Sequence, residues 1–77
     1  MAVKIFILIE AEVGKTGDVV DAVQGLEGVK SADPVVGPCD IVATVEVAEL
    51  EAVGSLVKQV HSVAGVRKTT TLISVKF

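Results

Sequence analysis

The stretch GPCDIVATVEV, residues 37–47, places the chain's only cysteine and an aspartate directly behind a Gly-Pro pair. A thiol next to a carboxylate admits three chemistries: a catalytic pair, part of a metal site, or the rim of a binding pocket. A zinc site needs three or four Cys, His or carboxylate ligands at tight spacing, and nothing groups them here, so no metal and no cofactor are expected. His61, the one histidine, would have to meet Cys39 in space to make a thiol–base pair. It lies beside the apolar stripe of a helix, next to Ser62, and no third orienting residue is evident. A solvated helix side chain is the plainer reading, so no catalytic residue is assigned. GKT at 14–16 has the ending of a phosphate loop, but the glycine required five positions earlier is Ile9, which leaves a strand-to-helix turn.

Two features stay open at this level. Asp40 starts a strand after a turn; it either bonds its own backbone or forms a pocket wall that accepts a hydrogen bond from a ligand amine. KTTTL at 68–72 is either ordinary strand sequence or a set of hydroxyls for a small polar ligand. Asp18, Asp21, Glu49 and Glu51 read as solvated carboxylates near helix starts, where they suit the helix dipole.

These residues sit on a chain of 77, enough for one small domain, expected to span 1–77. Domains of this size bury too little surface to be comfortably stable alone. A lone cysteine excludes an internal disulfide framework and fits a reducing, cytoplasmic setting. The composition is 51% hydrophobic with only two aromatics, which suggests apolar surface buried against other subunits. Net charge is −3, with scattered lysines and arginine, and neither a basic stripe nor stacking aromatics for nucleic acid. The N-terminal apolar run from Val3 to Ile9 is too short to span a membrane or to act as a signal segment.

The elements that must position the candidates come in two copies. VVDAVQGLEGVK and LVKQVHSVAGVR align Val20 with Val57, Val23 with Val60, Leu26 with Val63, Gly28 with Gly65 and Val29 with Val66, each pair 37 residues apart. Each copy runs helix, Gly-Val, strand, and each is preceded by its own strand: β-α-β twice. Residues 3–11 form a strand with Ile5, Ile7 and Ile9 on one face and Phe6 and Leu8 on the other. Residues 16–26 form a helix with Thr16 or Asp18 as its N-cap. Residues 29–36 form an edge strand, because Pro34 lacks a ladder N–H. The third strand carries Ile41, Ala43, Val45 and Val47 on one face. A helix over 49–63 carries Leu50, Val53, Val57 and Val60, and a last strand over 66–77 ends on Ile73, Val75 and Phe77. Right-handed crossovers put the first and third strands at the centre. The expected fold is therefore α+β, a ferredoxin-like βαββαβ sandwich with both helices on one face of an antiparallel four-stranded sheet. Phe6, Leu8 and Val42 on the other face call for a second sheet, so a dimer packed sheet to sheet is expected.

EGV at 27–29, the G-x-x-D of Gly37 to Asp40 opening an apolar strand, and GVRKTTTLISV at 65–75 together resemble the effector-binding domain of the Lrp/AsnC regulators. The resemblance covers nearly the whole chain, and order and spacing carry it more than any single motif. The regulators have an N-terminal helix-turn-helix domain; this sequence starts at the first strand and resembles a stand-alone effector domain, for which direct DNA binding is not expected. The resemblance implies homo-oligomers, as sheet-to-sheet dimers and rings of four dimers, with amino-acid effectors in clefts between dimers. Mixed assembly with full-length Lrp/AsnC relatives is a further expected partnership. It implies a pocket from Gly37, Pro38, Cys39 and Asp40 with Thr69 and Thr71: backbone groups from Gly37, an acceptor for an α-amino group from Asp40, and hydroxyls from the threonines. Cys39 stands where the family often has tyrosine, so specificity does not carry over. On this view Cys39-Asp40 is pocket rim. The alternatives are an ACT-like regulatory subunit, a small dimeric α/β-barrel enzyme, or structural association without a ligand.

Overall fold

A computed structural model describes residues 2–75 of the chain. The elements run β1 (Val3–Ala11), α1 (Thr16–Gln24), β2 (Val29–Pro34), β3 (Ile41–Val47), α2 (Ala52–His61) and β4 (Val66–Ile73). They build one antiparallel sheet in the order β2-β3-β1-β4, so β1 and β3 are central and the proline-bearing β2 is an edge. This is the expected ferredoxin-like arrangement.

Alternation along the strands decides which face the helices cover. Ile5, Ile7 and Ile9 of β1 and Ile41, Ala43 and Val45 of β3 are fully buried, together with Val19 and Val23 of α1 and Val60 of α2. Each large aliphatic side chain removed from water in this way contributes about 1.5–3 kcal/mol. α1 packs over β2 and α2 over β4. The opposite face has no cover among the described residues. There the register sets Val42 and Thr70 on either side of Leu8, and Thr44 and Leu72 on either side of Phe6. Opposite charges flank this apolar centre across strands, Lys4 opposite Glu46 and Glu10 opposite Lys68. The Lys4 ammonium also lies 5.3 Å from the Phe6 ring centre, within cation–π range.

The sequence repeat is a structural repeat. Gly28 and Gly65 both take left-handed φ, 93° and 97°, a conformation that costs a residue with a Cβ roughly 1–2 kcal/mol. Each sits after a helix closed by matching backbone bonds: Leu26 N–H to the Val23 carbonyl and Val29 to Leu26 in the first copy, Val63 to Val60 and Val66 to Val63 in the second. Each glycine carbonyl then accepts from a strand end, Gly28 from Glu46 N–H at 2.9 Å and Gly65 from Glu12 N–H at 2.7 Å.

Several expected boundaries move. α1 starts at Thr16, and its N-cap is Lys15, with no side-chain cap. The Glu12–Lys15 turn, closed by Lys15 N–H to the Glu12 carbonyl with Gly14 at φ 79°, has already set the helix direction, so neither Thr16 nor Asp18 caps it. α1 ends at Gln24 and β2 at Pro34, each two residues before the expected end. α2 begins at Ala52, not at residue 49, and ends at His61. Leu50 therefore falls in the connection and is 57% exposed, while Leu56, absent from the expected stripe, is 4% exposed and enters the core. β4 ends at Ile73, leaving Val75 exposed beyond it; the expected strand position Phe77 lies outside the described residues. Gly54 interrupts α2 where an added Cβ would touch nothing, and no contact in the structure explains it.

Candidate functional site

The antiparallel sheet brings the end of β1, the start of β3 and the start of β4 to one end of the molecule. The candidate residues gather there because the 35–40 connection leads into β3 while β4 begins opposite Ala11. Gly37 and Pro38 are exposed in this connection, and Cys39 and Asp40 are half-buried.

Asp40 is tied to the sheet by three bonds. Its N–H donates to the Ile9 carbonyl at 2.9 Å, and its carbonyl accepts from Val35 N–H at 2.9 Å. Its carboxylate Oδ2 accepts from Ala11 N–H at 2.9 Å. β1 outruns β3 here: the last ladder pair is Ile9 with Ile41, so the buried Ala11 would otherwise have no partner on that side. A buried donor left unsatisfied costs about 1–3 kcal/mol. Asp40 thus completes the end of the central β1–β3 ladder by bonding a neighbouring strand, where the sequence had suggested either its own backbone or a ligand.

Thr69 and Thr71 pair with Ile9 and Ile7, so both face the helix side and are half-buried, while Thr70 lies exposed on the open face. Asp40 and Thr69 flank the same residue, Ile9, from opposite sides. Two strand spacings, about 10 Å, separate their backbones. Thr71 lies a further two residues along, about 7 Å. The turn and Thr69 lie toward one end of the sheet and Thr71 at its middle, opposite Ile7, yet none of the six candidates lines the cleft of about 450 Å³ in the structure. That cleft is bounded by Gly28, Val47 and α2, at the opposite end.

His61 is exposed on the last turn of α2, and neither it nor Cys39 makes a side-chain hydrogen bond among the described residues. No three His, Cys, Asp or Glu residues group as a metal site among the described residues. Sequence reasoning missed the apolar residues at the candidate end: Val13 is 98% exposed and Val36 106%, with Val35 beside them. Their signal was present, as valines placed inside turn sequence (EVGK and VVGP) where polar residues are usual.

The comparisons bear on the family and the fold. The family model described as the Lrp/AsnC ligand binding domain matches residues 4–77. Among curated proteins none matches. TTHA0845 from Thermus thermophilus superimposes with a TM-score of 0.92 at 29% identity, over 97% of this chain and 95% of that one. FFRP-DM1 gives 0.89 at 26% identity, over 95% and 99%. The feast or famine regulatory protein Rv3291c from M. tuberculosis, solved in complex with L-methionine, gives 0.80 at 25% identity. The match covers 97% of this chain and 51% of the regulator, so this chain spans about half that protein's length.

Proposed function

The chain belongs to the family of Lrp/AsnC ligand binding domains, and on that footing we propose that it is an oligomeric amino-acid-sensing module. The family model describes a ligand binding domain and one solved neighbour is a feast or famine regulatory protein, which supports a regulatory rather than a catalytic reading. The L-methionine held by the regulator from M. tuberculosis supports an amino acid as effector class.

The proposed site is formed where copies meet at the Gly37–Asp40 end, with Pro38 and Cys39 as rim, Thr69 and Thr71 supplying hydroxyls, and Asp40 receiving the α-amino group. The observation that carries this assignment is the half-engaged carboxylate of Asp40. Oδ2 holds Ala11, and the residue is only half-buried, so its charge can serve a ligand ammonium. A zwitterion taken out of water needs both ends paired, a task for the backbone groups of Gly37 and the carboxylate of Asp40. Exposed Val13, Val35 and Val36 around the turn suit a contact between subunits that dries the cleft.

The open sheet face, with Phe6, Leu8, Val42 and Leu72 at its centre, is the proposed dimer surface, and dimers assemble further, into a ring of four. Full-length Lrp/AsnC relatives would dock by the same faces. No helix among the described residues is long and apolar enough to cross a membrane, and we place the module in the cytoplasm. A ligand bound between dimers stabilises the assembly by linkage, making oligomeric state the output. Asp40→Asn tests the site. The variant should fold normally and lose the response to amino acids; an undiminished response would remove Asp40 from the site.

A further inference from the structure

The two halves of the molecule differ above their matching glycines. A methyl group placed on Gly65 would lie 2.9 Å from Lys15 Cβ, 3.4 Å from Lys15 Cγ and 3.0 Å from Val19 Cγ2. The aliphatic stem of Lys15 therefore packs directly onto that glycine. A methyl group on Gly28 would meet only β3: the Glu46 carbonyl at 3.1 Å and the Val45 and Val47 methyls at 3.9 Å. Nothing from α2 reaches it.

The cause is in the chain. Glu12, which donates to the Gly65 carbonyl, precedes the buried Val19 by seven residues; Glu46, which donates to Gly28, precedes its counterpart Leu56 by ten. The three extra residues set α2 back, and Ala52 stands at the helix position equivalent to Lys15. The space left is the cleft of about 450 Å³ lined by Gly28, Val47, Ala48, Ala52 and Leu56 with Glu27, Ser55 and Gln59. Glu46 also borders it, through its backbone, since the register turns its side chain to the open face with Lys4.

We propose that this cleft is a second ligand site, for a free primary amine on a short aliphatic stem. The first half of the molecule shows the filling that fits over the glycine: a lysine's methylenes. In the second half no basic residue lines the space, and the exposed Glu27, Ser55 and Gln59 on its rim are residue types that can accept from an ammonium. Val47, Leu56 and the alanines form the apolar wall for the stem. A volume in the range of small-molecule sites accommodates a five- or six-carbon amine. The site lies at the opposite end of the sheet from Asp40 and does not rest on the amino-acid reading.

The test is a titration of the full chain with n-pentylamine and, separately, n-pentanol, followed by backbone amide NMR. Saturable shifts at Gly28, Ala48 and Ser55 with the amine, and binding weaker by about tenfold with the neutral alcohol, are expected. Ala52→Met, at an exposed helix position, should fill the space and abolish the shifts. Glu27→Gln should weaken the amine by about tenfold without changing the folded spectrum elsewhere. The proposal is overturned by an absence of saturation, by equal binding of alcohol and amine, or by amine shifts that persist in Ala52→Met. Because Asp40→Asn leaves this cleft intact, amine binding in that variant separates failure here from failure of the amino-acid site.

Discussion

At Asp40, asparagine keeps an acceptor for the Ala11 N–H and removes the charge, whereas alanine removes both. Thermal or denaturant unfolding should therefore show Asp40→Ala destabilised by about 1–3 kcal/mol, with Asp40→Asn close to the parent. A loss of stability in Asp40→Asn equal to that in Asp40→Ala would mean that the charge itself holds the end of the β1–β3 ladder. The residues of the proposed site could be named in part from the sequence. Gly37–Asp40 and the threonines could be picked out because their residue types stand out against apolar strands. The bond from Asp40 to Ala11 could not, because it depends on β1 outrunning β3 by two residues, a matter of register that no local pattern fixes. The facing of Thr69 and Thr71 toward the helices was hidden for the same reason: alternation groups alternate residues but does not say which group is covered.

Among the elements, the two helix–glycine–strand units explain most of what could be anticipated. Gly28 and Gly65 repeat with the same φ sign, whereas Gly17 and Gly54, also 37 residues apart, are exposed helix positions with open space around them. Substitution separates the two kinds. Gly65→Ala combines a left-handed φ with a 2.9 Å approach to Lys15 and should lose at least about 1–2 kcal/mol. Gly54→Ala should gain about 0.5–1 kcal/mol, since alanine is the better helix former and meets no obstacle. Chemical denaturation of both variants measures the contrast, and a destabilised Gly54→Ala would show that the helix needs glycine there. Strand identity, strand order and the edge position of β2 were readable because β-branched runs, repeat spacing and Pro34 all point the same way. The start of α2 was misplaced because Glu49 and Glu51 look like a first turn and Leu50 extends the apolar spacing. The three extra residues before Leu56 instead push the helix onset to Ala52 and leave Leu50 outside.

For the molecule as a whole, the uncovered sheet face dominates. A chain of 77 residues whose described residues leave Phe6, Leu8, Val42 and Leu72 without cover has apolar surface better suited to a partner than to water. Leu72→Glu changes a residue that is 46% exposed and outside the core, so the monomer should keep its fold. The charge would sit in the middle of the proposed dimer surface. Sedimentation should then show a folded species of half the parent mass; an unchanged mass would locate the association elsewhere. The central claim is that an amino acid controls assembly through the Gly37–Asp40 end. Its most direct measurement is light scattering on a sizing column, with and without each common amino acid, for the parent and Asp40→Asn. The account predicts that one or a few amino acids raise the parent's mass from dimer toward a larger ring and leave Asp40→Asn unmoved. A parent mass that stays fixed across the whole panel would contradict it.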